Sequence, residues 1–217
     1  MRQGAKGNLP PPNQKHGERY YIGKGAFVDT PSKSRRQYFQ ALLACIERTQ
    51  VTGNLIDEVF RLEPGLKRLD GILRSAHRAG GKAIFIGNGG SAAIASHMAV
   101  DWSKNKGIRS VALNDAAMLT MLGNDFGYDQ VFAKQIEYHG RQDDVAVIIS
   151  SSGRSLNILA AASAARTQGL RAVITFSGMN PNNALRRRGN LNFYVPSVSY
   201  GLVELSHLSL LHSLVPS

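Results

Sequence analysis

Ala83-Ile84-Phe85-Ile86, followed at once by Gly87-Asn88-Gly89-Gly90-Ser91, is the stretch that decides the architecture. Four apolar residues in a row, without alternation, read as a strand covered on both faces. A strand with one wet face would alternate apolar and polar side chains. The glycine-rich turn opens onto a helical pattern from Ser91 to Lys104. Val145-Ala146-Val147-Ile148-Ile149 repeats the arrangement ahead of a helical pattern from Ser155 to Gln168, and Ala172-Val173-Ile174-Thr175-Phe176 is a third such run. Ser110-Val111-Ala112-Leu113 and Phe193-Tyr194-Val195 are weaker strand candidates. Buried strands alternating with helices predict an α/β fold, a three-layer sandwich about a central, mostly parallel five-stranded sheet.

Upstream of this unit the pattern is helical. Tyr38, Leu42, Leu43 and Ile46 recur at three- and four-residue steps, and a second apolar periodicity runs through Leu55, Ile56, Val59 and Phe60. Pro64 suits the first turn of a third helix carrying Leu66, Leu69, Ile72, Leu73 and Ala76, which Gly80-Gly81 stops. These N-terminal helices are expected to serve packing and subunit association. No internal repeat of fixed period is present.

The 217 residues (23.5 kDa) suit one domain, and 43% hydrophobic residues suffice for a full core. The single cysteine, Cys45, excludes an internal disulfide and a multi-cysteine zinc site within one chain. No apolar run nears the roughly 20 residues of a membrane-spanning helix, and the N-terminus lacks the apolar core of a secretory signal. The expectation is therefore a soluble, cytoplasmic protein with no membrane association.

Lys and Arg outnumber Asp and Glu by 26 to 15, for a net charge of +11. The excess is uneven. Residues 1–36 carry eight cations against Glu18 and Asp29, together with Pro10-Pro11-Pro12 and five glycines, leaving +5 for the remainder. That composition reads as a flexible basic tail, with the folded domain spanning 37–217. Such a tail can touch a polyanion through charge alone, but a solvated tail is the better account, and nucleic acid is not an expected partner.

Two polar loops follow strands and open helices. In Gly87-Asn88-Gly89-Gly90-Ser91 the glycines let the backbone approach a ligand, and the free amides at a helix start favour an anion. The loop has neither the Gly-Lys-Ser/Thr of a Walker motif nor the G-x-G-x-x-G dinucleotide spacing. Ser150-Ser151-Ser152-Gly153-Arg154-Ser155 is the more telling. Helix capping at Ser152 or Ser155 would explain one serine, whereas four hydroxyls plus backbone amides can saturate the oxygens of a phosphate monoester. In an open parallel sheet both loops would lie at the carboxyl edge, where ligands bind.

These two loops, with Gly123-Asn124-Asp125-Phe126-Gly127-Tyr128 between them, resemble sugar isomerase (SIS) domains. Among those, the resemblance is to the sedoheptulose-7-phosphate (phosphoheptose) isomerases, over about Leu66 to His212. The resemblance implies a homotetramer with active sites between subunits, interconverting a ketose phosphate and an aldose phosphate. It implies that Asn88, Gly89, Gly90, Ser91, Asn124, Asp125 and Glu204 meet the sugar and that Ser150, Ser151, Ser152 and Ser155 hold the phosphate. It also implies a zinc ion on His97, Asp101, Glu204 and His212.

Spacing is compatible with that set. His97 and Asp101 stand i, i+4 on one helix face, and Glu204 and His212 are eight residues apart, about 80° around a helix. Two imidazoles and two carboxylates suit a borderline divalent ion. Asp101 stands where the family carries Glu, one methylene longer, and Glu204 where it carries Gln, which adds a negative charge. His207 has a family counterpart, and packing is its simplest role. The implied reaction is conversion of sedoheptulose 7-phosphate to D-glycero-D-manno-heptose 7-phosphate through an enediol, with Asp101 as carbon base and His212 as its acid-base partner. A non-catalytic SIS protein that binds a sugar phosphate or scaffolds a protein partner, and an isomerase of another sugar phosphate, stand beside this reading.

Overall fold

Five parallel strands occupy the middle of the molecule, where the apolar runs predict them. The computed structural model describes residues 34–54 and 58–216. Its strands are β1 (Gln50–Thr52), β2 (Val59–Phe60), β3 (Ala83–Gly87), β4 (Ser110–Ala112), β5 (Val145–Ser150), β6 (Ala172–Gly178) and β7 (Leu191–Val195), in the order β2-β1-β7-β6-β5-β3-β4. From β7 to β4 every neighbouring pair is parallel. β3, β5, β6 and β7 are buried at every position, which is why the first three read as apolar runs, while buried Asn192 interrupts β7.

The sheet has seven strands rather than five. β1 pairs antiparallel with β7, and β2 pairs antiparallel with β1 through Val51 with Phe60 and Thr52 with Val59. Val59 and Phe60 are thus in an edge strand, not in the helix their spacing from Leu55 and Ile56 predicts. Residues 55–57 lie outside the described residues. A four-residue window cannot separate helical from strand periodicity, and β-branched and aromatic residues facing an open sheet edge pair there.

The helices are α1 (Arg35–Glu47), α2 (Leu62–Arg78), α3 (Gly90–Lys104), α4 (Ala116–Phe126), α5 (Val131–His139), α6 (Leu156–Thr167) and α7 (Tyr200–His212). Ser34 caps α1 by accepting from the Gln37 N–H, so the helix takes in Arg35 and Arg36. The tail expected over 1–36 otherwise falls outside the described residues. Strand residues alternate between two apolar layers. Phe85, Val147, Ile174 and Phe193 pack with α1, α2, α3 and α7, while Ile84, Ile86, Ile148 and Val173 pack with α4, α5 and α6. At about 1.5–3 kcal/mol for each fully buried large apolar side chain, these two layers hold the loop-bearing edge rigid. Among the described residues no helix is long and apolar enough to cross a membrane.

Connectivity places the site. After β3 the chain moves outward to the edge strand β4, then returns to the other side of β3 to form β5. The carboxyl ends of β3 and β5 are therefore neighbours at a topological switch, with Gly87 opposite Ile149. Helices leaving such a point diverge and open a crevice between their N-termini. The glycine loop and the serine loop border that crevice.

Candidate active site

The serine loop is built as a tight turn with hydroxyls to spare. Gly153 has φ +62°, and a Cβ there would collide with Asn183 Oδ1, so only glycine fits. Ser150 Oγ accepts from the Gly153 N–H at 3.2 Å, and Ser152 Oγ accepts from the Arg154 N–H at 3.4 Å. Ser155 occupies the N-cap position of α6 yet makes no capping hydrogen bond. The Ser151 hydroxyl is buried and has no hydrogen-bond partner. A buried, unpaired hydroxyl costs about 1–3 kcal/mol, and capping leaves these serines unexplained. An anion at the start of α6 explains both.

The glycine loop is shaped by close approach. A Cβ on Gly87 would meet the backbone of Ser91 at 2.5–2.6 Å, and Gly89 has φ +54°. Asn88 Nδ2 donates to Asn157 Oδ1 at 2.9 Å, and Asn157 Nδ2 donates back to Asn88 Oδ1 at 3.0 Å. This reciprocal pair ties the glycine loop to the first turn of α6. Tyr128 adds a hydroxyl donated to the same Asn88 oxygen at 3.3 Å. Asn157, only 3% exposed, was not singled out from sequence, where it reads as one more polar residue of a helix start. Its signal is a polar side chain at a position the helical pattern buries.

The expected ligand group forms in part. His97 Nε2 lies 3.3 Å and His212 Nε2 3.0 Å from the same oxygen, Oδ2 of Asp101, with the two rings 5.6 Å apart. Among the described residues, these three offer one ligand atom each within 4.8 Å of one another. Two imidazoles and a carboxylate fit a divalent transition metal. Glu204 does not join them. Eight residues of helix separate it from His212 by about 12 Å of rise, so the two meet only if each leans along the axis toward the other. Its carboxylate instead lies against Gly90, where a Cβ would be 2.5–2.7 Å from its oxygens.

The other expected residues are placed as follows. Ser91 is buried in the first turn of α3, packed closely against Gly87. Asn124 and Asp125 form the exposed last turn of α4, where Asn124 Nδ2 donates to Asp125 Oδ1 at 2.8 Å, and Gly127 at φ +84° then turns the chain to Tyr128. His207 is fully buried, edge-on to Phe176, with Nε2 3.1 Å from the Ser177 carbonyl, and burial pushes its pKa down to about 4. Packing accounts for it.

An open, mostly parallel sheet with two polar loops at its switch point, and a His-Asp-His group on the helices covering one face, defines an α/β protein with a ligand crevice at the carboxyl edge of its sheet. The SIS domain family model matches residues 41–178. The chain is 36% identical to the phosphoheptose isomerase of Rhodospirillum rubrum over 157 residues, covering 70% of this chain and 82% of that protein. It is 35% identical to the phosphoheptose isomerase of Enterobacter sp. (strain 638) over 175 residues, covering 78% and 90%. The solved phosphoheptose isomerase of Neisseria gonorrhoeae superposes with a TM-score of 0.69 at 29% identity, covering 82% of this chain and 94% of that one. The chain belongs to the SIS domain family.

Proposed function

We propose that the chain is a phosphosugar aldose–ketose isomerase that converts sedoheptulose 7-phosphate to D-glycero-D-manno-heptose 7-phosphate in the cytoplasm. The observation that carries this reading is the union of the Ser151 and Ser155 hydroxyls at the start of α6 with a carboxylate flanked by two imidazoles. The first suits a phosphate ester, the second proton transfer next to a carbonyl.

Isomerisation takes a proton from C1 of the ketose, returns one to C2 of the enediol, and moves another from O1 to O2, with no net change in composition. In our reading the serine loop anchors the phosphate, the amides of the glycine loop orient the sugar, Asp101 carries the carbon-bound proton and His212 carries the proton between the oxygens. A zinc ion would be held by His97, Asp101 and His212, and when bound it supplies a Lewis acid for the substrate's oxygens; a lone pair given to the ion is not free for a proton, so ligation and acid-base work compete at Asp101 and His212.

Gly90 and Asp101 are eleven positions apart along α3, roughly 16 Å. A sugar phosphate seated between the β3 and β5 loops does not span to Asp101 of its own chain. A second copy that turns its His-Asp-His group toward those loops completes the site, so the proposal includes a homo-oligomer, in our reading a tetramer. Phe39, Leu43 and Val100 are exposed apolar side chains on α1 and α3 that suit such contacts.

The test is turnover of sedoheptulose 7-phosphate followed by proton NMR in deuterated water, with and without a zinc chelator. Appearance of the aldose with deuterium at C2 supports the reading. Tight binding of the sugar phosphate without exchange would select the non-catalytic alternative.

A further inference from the structure

His212 sits at the last position of α7, with its side chain half exposed, so packing does not hold the ring in place. Its 3.0 Å contact with Asp101 depends on where the end of that helix lies. The final carbonyls of a helix have no partners within it, and terminal turns fray unless something outside binds them. Local bonds take up the Ser209, Leu210 and His212 carbonyls at the end of α7, and two side chains from elsewhere in the fold hold the Leu211 carbonyl and the turn that follows. The indole N–H of Trp102, a residue with no exposure, donates to the Leu211 carbonyl at 3.4 Å. The Lys106 ammonium donates to the Leu214 carbonyl.

Lys106 is not a surface lysine that happens to reach. Its side chain is 1% exposed, its ammonium is 2.5 Å from Asp70 Oδ1, and it lies 6.0 Å from the centre of the Trp102 ring. Asp70 is held in turn by Arg74 Nε at 2.7 Å, and these cations keep its carboxyl below its ordinary pKa against the opposing effect of burial. Burying an ammonium costs several kcal/mol before its partners offset the loss, so the position is expensive for mere surface stability. What the arrangement adds is a fixed cation at the C-terminal end of the α7 dipole. Asp101, Trp102 and Lys106 come from one run of six residues, so the backbone that places the carboxylate also places both donors.

We infer that Lys106, together with Trp102, is a positioning residue that clamps the end of α7 and thereby sets the imidazole of His212 against Asp101. The inference rests on the proposed isomerase reading for its consequence in turnover, but its geometric content can be read without it. Neither residue meets the substrate. Loss of the clamp leaves the β3 and β5 loops intact, so it acts on the chemical step and not on sugar-phosphate binding.

The test compares full-length wild type with Lys106→Met, Lys106→Arg and Trp102→Phe. Kinetics with sedoheptulose 7-phosphate are paired with the ¹⁵N NMR signals of the His212 ring in the free protein. Lys106→Met should lower kcat by about 100-fold, the scale set by a misplacement near 1 Å, with KM little changed. The His212 signals should shift or broaden. Lys106→Arg, which keeps a cation, should restore most of kcat, and Trp102→Phe, which deletes one donor and keeps most of the ring volume, should give a smaller loss with the same His212 signature. Unchanged kcat and His212 signals in a folded Lys106→Met overturn the inference, as does a rise in KM at constant kcat. If Lys106→Met does not fold, Trp102→Phe decides on the same criteria. If wild type does not isomerise the sugar, the functional reading falls, and the clamp stands or falls on the His212 signals alone.

Discussion

His207 should make this fold acid-sensitive by an amount that can be worked out. The ring is fully buried, Nε2 faces the Ser177 carbonyl, and Nδ1 has no hydrogen-bond partner. The tautomer that suits this donates from Nε2, and an added proton on Nδ1 would be a buried charge with nothing to accept it. Burial pushes the pKa from 6.5 to about 4. Since the folded-state value is depressed, the unfolded chain takes up the proton first as pH falls. The stabilisation is fully present above about 6.5 and is lost as pH descends toward 4. At about 1.4 kcal/mol per pH unit, moving from pH 7 to pH 4.5 removes ~3 kcal/mol through this group. For a domain of this size that is roughly 6–12 °C in Tm. Other groups titrate over the same range, so the comparison is with His207→Gln, whose amide can still donate to Ser177 and carries no titrating proton. Urea unfolding at both pH values should give wild type the steeper loss by ~3 kcal/mol. Equal losses in the two proteins would show that His207 is solvated or paired in solution and would refute the argument.

Two further outcomes follow from the site. Ser151→Ala should leave stability unchanged or slightly raised, because the hydroxyl it deletes is buried without a partner, while calorimetry should show sugar-phosphate affinity falling by about 10–100-fold, the equivalent of a charge-assisted bond worth about 1.5–3 kcal/mol. Asp101→Asn should abolish deuterium exchange at the substrate carbon by about 10²–10⁴ in rate with sugar-phosphate binding retained; if it instead lowers metal content and excess zinc restores turnover, Asp101 serves as ligand and not as base.

The parallel core and its two loops were legible from residues alone. A strand covered on both faces cannot alternate, so Ala83–Ile86, Val145–Ile149 and Ala172–Phe176 announce themselves, and each is buried throughout in the folded chain. The serine and glycine loops were legible as turns for a related reason: runs of glycine and serine suit the break between a strand and a helix better than either element. The pairing of His97 with Asp101 was likewise local, since helical geometry alone puts i and i+4 side by side.

Relations between distant segments were decided by tertiary structure. Val59 and Phe60 became a strand because β7 left an edge for β1 and β1 one for β2, which no window around residue 59 records. Asn88 and Asn157 are 69 residues apart, and their amides meet only because β3 and β5 are neighbours at the switch point. Glu204 and His212 share a helix, yet only the packing of α7 along α3 sends one to Gly90 and the other to Asp101. Lys106 looks like any charged residue after a helix. Its burial against Asp70 and the end of α7 arises from contacts 36 and 108 residues away, at which distances hydrophobic patterning carries no information.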